Sequence, residues 1–248
     1  MKTGILLHVH NLEAVGWADM AWGRPERDEL GTVTKFVDLL LDIPTDQTVA
    51  SIVYSGPSVR EGLSEGEYTK KYLADRIERL RDFPQLRRKI DRLSAEEHEV
   101  LLKRVHDLVL GHNIRNTMGE VESAAQYFEK QGAARIIQIA PTSHAPRCIR
   151  TQAVAREKGN IPKGQQWFLA VSEIGFAGTP AGDVAIYEPP HRADDPVLYI
   201  RPSLPEILLQ YQYDLSPEER IEALHQFNQV VTKLKAKQHA GEPVLETS

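Results

Sequence analysis

The densest concentration of reactive side chains is Thr142-Ser143-His144-Ala145-Pro146-Arg147. An imidazole able to change charge near neutral pH stands three residues before a guanidinium, where an apolar strand gives way to a helix. Such a pattern pairs a proton-transfer group with an anion clamp. Arg150 follows after another three residues, within reach of the same helical face. Read as plain structure, His144 bonds a backbone carbonyl and the arginines pair with surface carboxylates. Three other segments carry small hydroxyls, amides and histidines after stretches with strand character: His10-Asn11, Ser55-Gly56-Pro57-Ser58 and His112-Asn113-Ile114-Arg115-Asn116-Thr117. Singly, each has a structural reading, Ser55 to Ser58 as a turn and Asn116-Thr117 as a helix cap. Helix-start amides also bind anions, so a cap and a ligand contact can be one residue.

Other chemistry is weakly signalled. Glu65 is either a second proton-handling group or a solvated carboxylate favoured by a helix N-terminus. Cys148, next to Arg147, reads as a buried packing residue rather than a nucleophile, since adjacent helical residues point apart. His8 and His10 alternate on one strand, as metal ligands can, but no companion cluster stands at diagnostic spacing, and the reading is of no metal. There is no GxGxxG after the first strand and no GxxxxGK[ST]. Dinucleotide cradle and P-loop are thus missing, and the sequence itself identifies no cofactor.

The elements that must position these residues follow from periodicity. Ile5 to Val9, Val49 to Tyr54 and Ala134 to Ala140 read as buried strands. Asn11 to about Asp28 reads as a polar loop containing tryptophan. Helical spacing runs over Gly31 to Leu41, Ser64 to about Leu80, Met118 to Lys130 and Pro146 to Ala155, with Glu65, Glu67, Lys70 and Lys71 on the wet side of the second. A charged helical excursion occupies about 82–104, and Val105 to Leu110 reads either as a third strand or as the end of a helix. Trp167 to Val171, Asp183 to Tyr187 and Val197 to Ile200 read as later strands, and Ser216, with Pro217 and Glu219, caps a last helix. Alternating strands and helices imply an α/β, Rossmann-like, doubly wound fold: a mostly parallel sheet with helices on both faces. Residues 1–236 read as one domain, with extra C-terminal strands and a helix, and 237–248 as a flexible tail. Open parallel sheets bind ligands at the carboxyl ends of their strands, where the four polar segments fall.

The bulk properties narrow the partners. At 248 residues with 41% hydrophobic and 26% charged, the chain can bury a sizeable core and is not disordered in composition. A net charge of -5 opposes nucleic-acid binding, which rewards a concentrated basic face. One cysteine can form no internal disulfide. The N-terminus lacks a signal-peptide pattern, and no stretch approaches the roughly 20 apolar residues of a membrane span. These features imply a cytoplasmic protein that binds neither nucleic acid nor a membrane, and the anion clamp at Arg147 and Arg150 makes a small anionic metabolite the expected partner. The sequence leaves a homo-oligomeric state open.

The order of the polar segments resembles that of the ElyC/SanA/YdcF family of Rossmann-like proteins. The resemblance covers roughly residues 48–158. It is carried by Ser55-Gly56, by Ser64-Glu65-Gly66-Glu67 at a helix start, by Asn116-Thr117, and by Thr142-Ser143-His144-Ala145-Pro146-Arg147. The chain departs from the family pattern at His8-Val9-His10-Asn11, where the family carries a glycine-bearing turn. It departs again at Asn116-Thr117-Met118-Gly119-Glu120, where the second asparagine of the family's Asn-Thr-x-Glu-Asn pattern is replaced, and at His144, which sits one place nearer the Thr-Ser pair. The soluble YdcF-like branch is the one the resemblance implies, and S-adenosylmethionine binding is associated with that branch.

Two functions follow as expectations. In the first, the protein is a hydrolase or transferase acting on a phosphorylated or nucleotide-like metabolite. His144 is its general acid/base, assisted by Glu65, and Arg147 with Arg150 is its anion clamp. His10, Asn11, Ser55, Gly56, Ser58, Asn116, Thr117 and Ser143 line the site. In the second, it is an S-adenosylmethionine or nucleotide binding protein, with Glu13, Asp19 or Glu65 taking the ribose hydroxyls. A third reading, partner binding through the charged segment from Arg76 to Arg104, competes with a solvated helical face.

Overall fold

A computed structural model describes residues 2–9, 12, 16–56, 58–112, 114, 116–142 and 144–174, together with the backbone of 185–186 and 199–200. The chain divides into two units, Met1–Gly178 and Thr179–Ser248. In the second, Ala185–Ile186 pairs antiparallel with Tyr199–Ile200. The expected Ser216 helix and the tail lie outside the described residues.

The first unit is built on five parallel strands: β1 (Thr3–Leu7), β2 (Val49–Tyr54), β3 (Val109–Gly111), β4 (Arg135–Ala140) and β5 (Gln166–Val171). Their order across the sheet is β3-β2-β1-β4-β5, that of a Rossmann-like fold. In register, Leu7 lies opposite Val53 on one side and Ile139 on the other, so the three central strands end at one level. β1, the middle strand, is buried throughout, which is why its run is continuously apolar rather than alternating.

Seven helices cover the sheet among the described residues: α1 (Trp17–Trp22), α2 (Thr32–Asp42), α3 (Glu65–Ala74), α4 (Pro84–Ile90), α5 (Ala95–His106), α6 (Thr117–Lys130) and α7 (Ala145–Glu157). One face carries Ile5, Leu7, Val53 and Ile139 against Val33, Phe36, Val37 and Leu40 of α2, with Leu86, Leu101 and Val105 further out. The other carries Leu6, Ile52, Tyr54 and Ile136 against Val121, Ala124, Ala125 and Phe128 of α6 and Ala155 of α7. Gly4 permits that second contact, because a Cβ there would lie 2.7 Å from both Phe128 and Ile136. The doubly wound arrangement expected from the alternation of elements is thus present.

Several boundaries differ from expectation. The segment read as a polar loop contains α1, whose Trp17, Met20, Ala21 and Trp22 are buried. Their i, i+3, i+4 spacing is helical, but a six-residue helix is too short for periodicity to stand out against its polar flanks. The helix from Ser64 stops at Ala74 and passes into a 3-10 turn, Ile77–Asp82. The excursion is two helices split near Asp91, each opened by its own signal, Pro84 in one and the Ser94/Glu97 capping box in the other. The ambiguous stretch before Leu110 is both things in turn, with α5 ending at His106 and β3 beginning at Val109. Among the described residues no helix is long and apolar enough to cross a membrane.

Candidate functional site

The connection after β1 leads to α1 and α2 on one face, whereas the connection after β4 leads to α7 on the other. Neighbouring strands whose chains leave in opposite directions open a crevice at their carboxyl ends. His8 stands just past β1 and His144 just past β4, one on each side of that switch point. Their rings meet edge to face with centroids 5.7 Å apart.

His8 is 1% exposed. Its backbone N–H extends the sheet by donating to Ile139 O at 3.0 Å. Its Nδ1–H donates to Glu120 Oε2 at 2.7 Å, and its Nε2 lies 3.3 Å from Gln138 Oε1. Glu120 comes from the first turn of α6, whose start is fixed by Asn116 Oδ1 accepting from Gly119 N at 2.8 Å. The buried amide of Gln138 donates on to Gln152 Oε1 of α7 at 2.8 Å. A chain of polar contacts therefore links α6, β1, β4 and α7. Burial, the largest influence on His8, disfavours the charged ring. The Cys148 thiol, which hydrogen-bonds the ring, and the Glu120 carboxylate together outweigh burial and hold the His8 pKa well above the usual imidazole value. Tyr54, beside the same carboxylate, has its pKa raised by burial and by the Glu120 charge, against an opposing bond with Ser123.

His144 is half-buried at the N-cap of α7, positioned by the Pro141 carbonyl, which accepts from both His144 N and Ala145 N. Its Nε2 lies 3.3 Å from Thr117 Oγ1. One turn into α7, Cys148 is fully buried, and a ligand atom from each of His8, His144 and Cys148 falls within 4.8 Å of the others. Arg147 is half-buried on the first turn of α7, and Arg150 is exposed.

Comparison with protein-family models, characterised proteins and solved structures finds no match to this chain.

A second polar cluster forms where β2 meets α3. Ser58 Oγ donates to Glu65 Oε1 at 2.5 Å and accepts from Leu12 N at 2.9 Å. Ser64 Oγ donates to Ser55 Oγ at 2.9 Å, while Ser64 and Glu67 form a capping box. Gly56 is required here, because a Cβ on it would lie 1.7 Å from Glu65 Oε2. Glu65 is accordingly 7% exposed, which corrects its expected placement on the wet side of the helix.

Of the residues singled out in the sequence, Ser55, Gly56, Ser58 and Glu65 come together in this second cluster. Thr117 and His144 come together at the switch point, and Asn116 serves as the α6 cap. His10, Asn11 and Ser143 lie outside the described residues. Glu120, Gln138 and Gln152 were not singled out as site residues, and His8 was considered only as half of an HxH pair. Two signals pointed to them: Gln138 interrupts the apolar run of β4, and Glu120 falls in the first turn after the Asn116 cap.

Proposed function

We propose that this protein is a hydrolase or transferase acting on a phosphorylated or nucleotide-like anionic metabolite at the carboxyl edge of the sheet. The observation that carries the reading is the pair of histidine rings 5.7 Å apart at the switch point. One is buried against a carboxylate, and the other is partly open to solvent. His144, the accessible one, is assigned the proton transfer, worth about 10²–10⁴ in rate for a positioned acid or base. Arg147, three residues along the same helix start, is assigned the anion, with the first amides of α6 as additional donors. The Glu120–His8 pair holds charge beside the reacting centre, where water is scarce and electrostatic influence is large. Membership of the ElyC/SanA/YdcF family belongs to the same proposal. In its support, Ser55 directly follows β2, and Thr117 and His144, after β3 and β4, come together.

The test is thermal stability against nucleotides, sugar phosphates and S-adenosylmethionine, in wild type and the His144→Ala/Arg147→Ala double variant. A ligand that binds only the native state raises Tm by mass action. A phosphorylated compound should raise Tm in wild type and not in the double variant, and His144→Ala alone should abolish turnover of that compound. An anion-induced shift that survives in the double variant overturns the assignment. A shift with S-adenosylmethionine alone replaces catalysis on an anion by binding of that nucleoside.

A further inference from the structure

His8, His144 and Cys148 approach one another from three places in the chain: the end of β1, the N-cap of α7 and the first turn of α7. Their ligand atoms lie within 4.8 Å of one another. Two imidazoles and a thiol are nitrogen and sulfur donors, the set preferred by borderline cations such as Zn²⁺ and disfavoured by Mg²⁺ and Ca²⁺. A tetrahedral ion with bonds of about 2.0–2.3 Å spaces its ligands roughly 3.3–3.8 Å apart, so the trio needs to close by about 1.5 Å at most.

Two further features suit a metal. His8 donates through Nδ1 to Glu120 at 2.7 Å, the carboxylate–histidine arrangement that fixes a ligating ring, and an ion would take Nε2 in place of its 3.3 Å contact with Gln138 Oε1. His144 is partly exposed while His8 and Cys148 are buried, so an ion would enter from the His144 side.

We infer that His8, His144 and Cys148 form a three-ligand site for a Zn²⁺-class divalent cation, with Glu120 orienting His8 and a fourth position left for water or a substrate oxygen. Three protein ligands and one open position are the mark of a catalytic rather than a structural zinc site. The inference rests on the same crevice as the proposed function but changes one role within it. In the loaded protein His144 is a ligand, and an ion-bound water, acidified to near neutrality, takes over its proton work. Arg147 remains the anion clamp.

The test is Co²⁺ titration of the tag-free, chelator-treated full chain, followed by back-titration with Zn²⁺. The chain has nine histidines but a single cysteine, so weak surface binding is silent in the diagnostic band. Any thiolate-to-cobalt charge-transfer absorption must come from Cys148. The expected result is one equivalent of Co²⁺ with that absorption and the visible bands of a tetrahedral ion, both removed by Zn²⁺. Cys148→Ser should lose the charge-transfer band, and Glu120→Gln, which keeps the side-chain shape, should weaken affinity about 10–100-fold. Absence of the band from wild type overturns the inference without reference to any variant. Its persistence at full intensity in both His8→Ala and His144→Ala does the same. The outcome is separable from that of the proposed function. A cobalt band without any anion-induced Tm shift upholds the metal site and removes the anion reading. An Arg147-dependent anion shift without a cobalt band does the reverse.

Discussion

Asp38 on α2 and Glu120 on α6 are both carboxylates tied to cations, and they have opposite meanings. Asp38 sits between Lys35 and Lys89, at 2.9 and 2.6 Å, and Lys89 also holds Asp42 at 2.6 Å. Both lysines keep access to water, and on Lys89 burial, which lowers the pKa, is overcome by the bonds and charges of Asp38 and Asp42, which raise it. The arrangement fastens α4 onto α2. Glu120 instead faces His8, an enclosed ring whose charge can change, with a thiol and a second imidazole within a few ångströms. An ion pair alone therefore says little about chemistry. The partner's ability to titrate, and the other groups gathered around it, make the difference.

The largest effect should come from separating the two cases directly. Glu120→Ala leaves His8 buried against Gln138 and Cys148 without its counter-ion, and a loss of about 3–5 kcal/mol is expected from denaturant unfolding. Asp38→Ala frees lysines that can return to water and should cost only about 1–2 kcal/mol. Equal losses would erase the distinction. Next in size, Gly56→Ala drives a methyl group into Glu65 and should break the Ser58 bond. About 1–3 kcal/mol of overpacking cost is expected, and a variant as stable as wild type would show that the second cluster is slack. Arg104→Ala, on the scaffold face, should cost about 1–2 kcal/mol with no change in ligand-induced Tm shifts; altered shifts would tie that face to the site.

The smallest effect is in acid. Burial pushes the Asp38 pKa up, but hydrogen bonds and charge from Lys89 and Lys35 prevail and hold it below the usual 3.8. A carboxyl depressed in the folded state gives stability that is complete above its unfolded pKa and is lost as pH falls through the folded one. Between about pH 4 and 2 the stability of wild type should therefore decline more steeply than that of Asp38→Asn. Parallel acid profiles would remove Asp38 from the account.

Much of the scaffold was legible because long elements declare their period. β2, β4, α2 and α6 fall within a residue or two of where apolar spacing puts them. Short elements did not, as α1 and β3 show, because a single turn or three strand residues give periodicity too little length. The site was half legible. Position after a strand led to His144, Thr117 and Ser55, since the architecture sends strand ends to one edge. Glu120, Gln138 and Cys148 act through burial and through contacts between distant segments. Cys148 in particular read as packing, and buried it is, but it is buried against a histidine. Glu65 went from wet to enclosed for a reason no single-helix pattern holds, the glycine at position 56 that lets it in.

The guanidinium of Arg104 in α5 carries a consequence for how the molecule assembles. It donates to the carbonyls of Leu40, Ile43, Pro44, Thr45 and Gln47, where α2 ends and the chain turns toward β2. A helix end must find partners for its last carbonyls, and here they arrive from 57 to 64 residues later. The first crossover is thus finished only when the second has folded over it. The two should open and close as one cooperative unit, with amide exchange at the end of α2 slowing in step with that of α5.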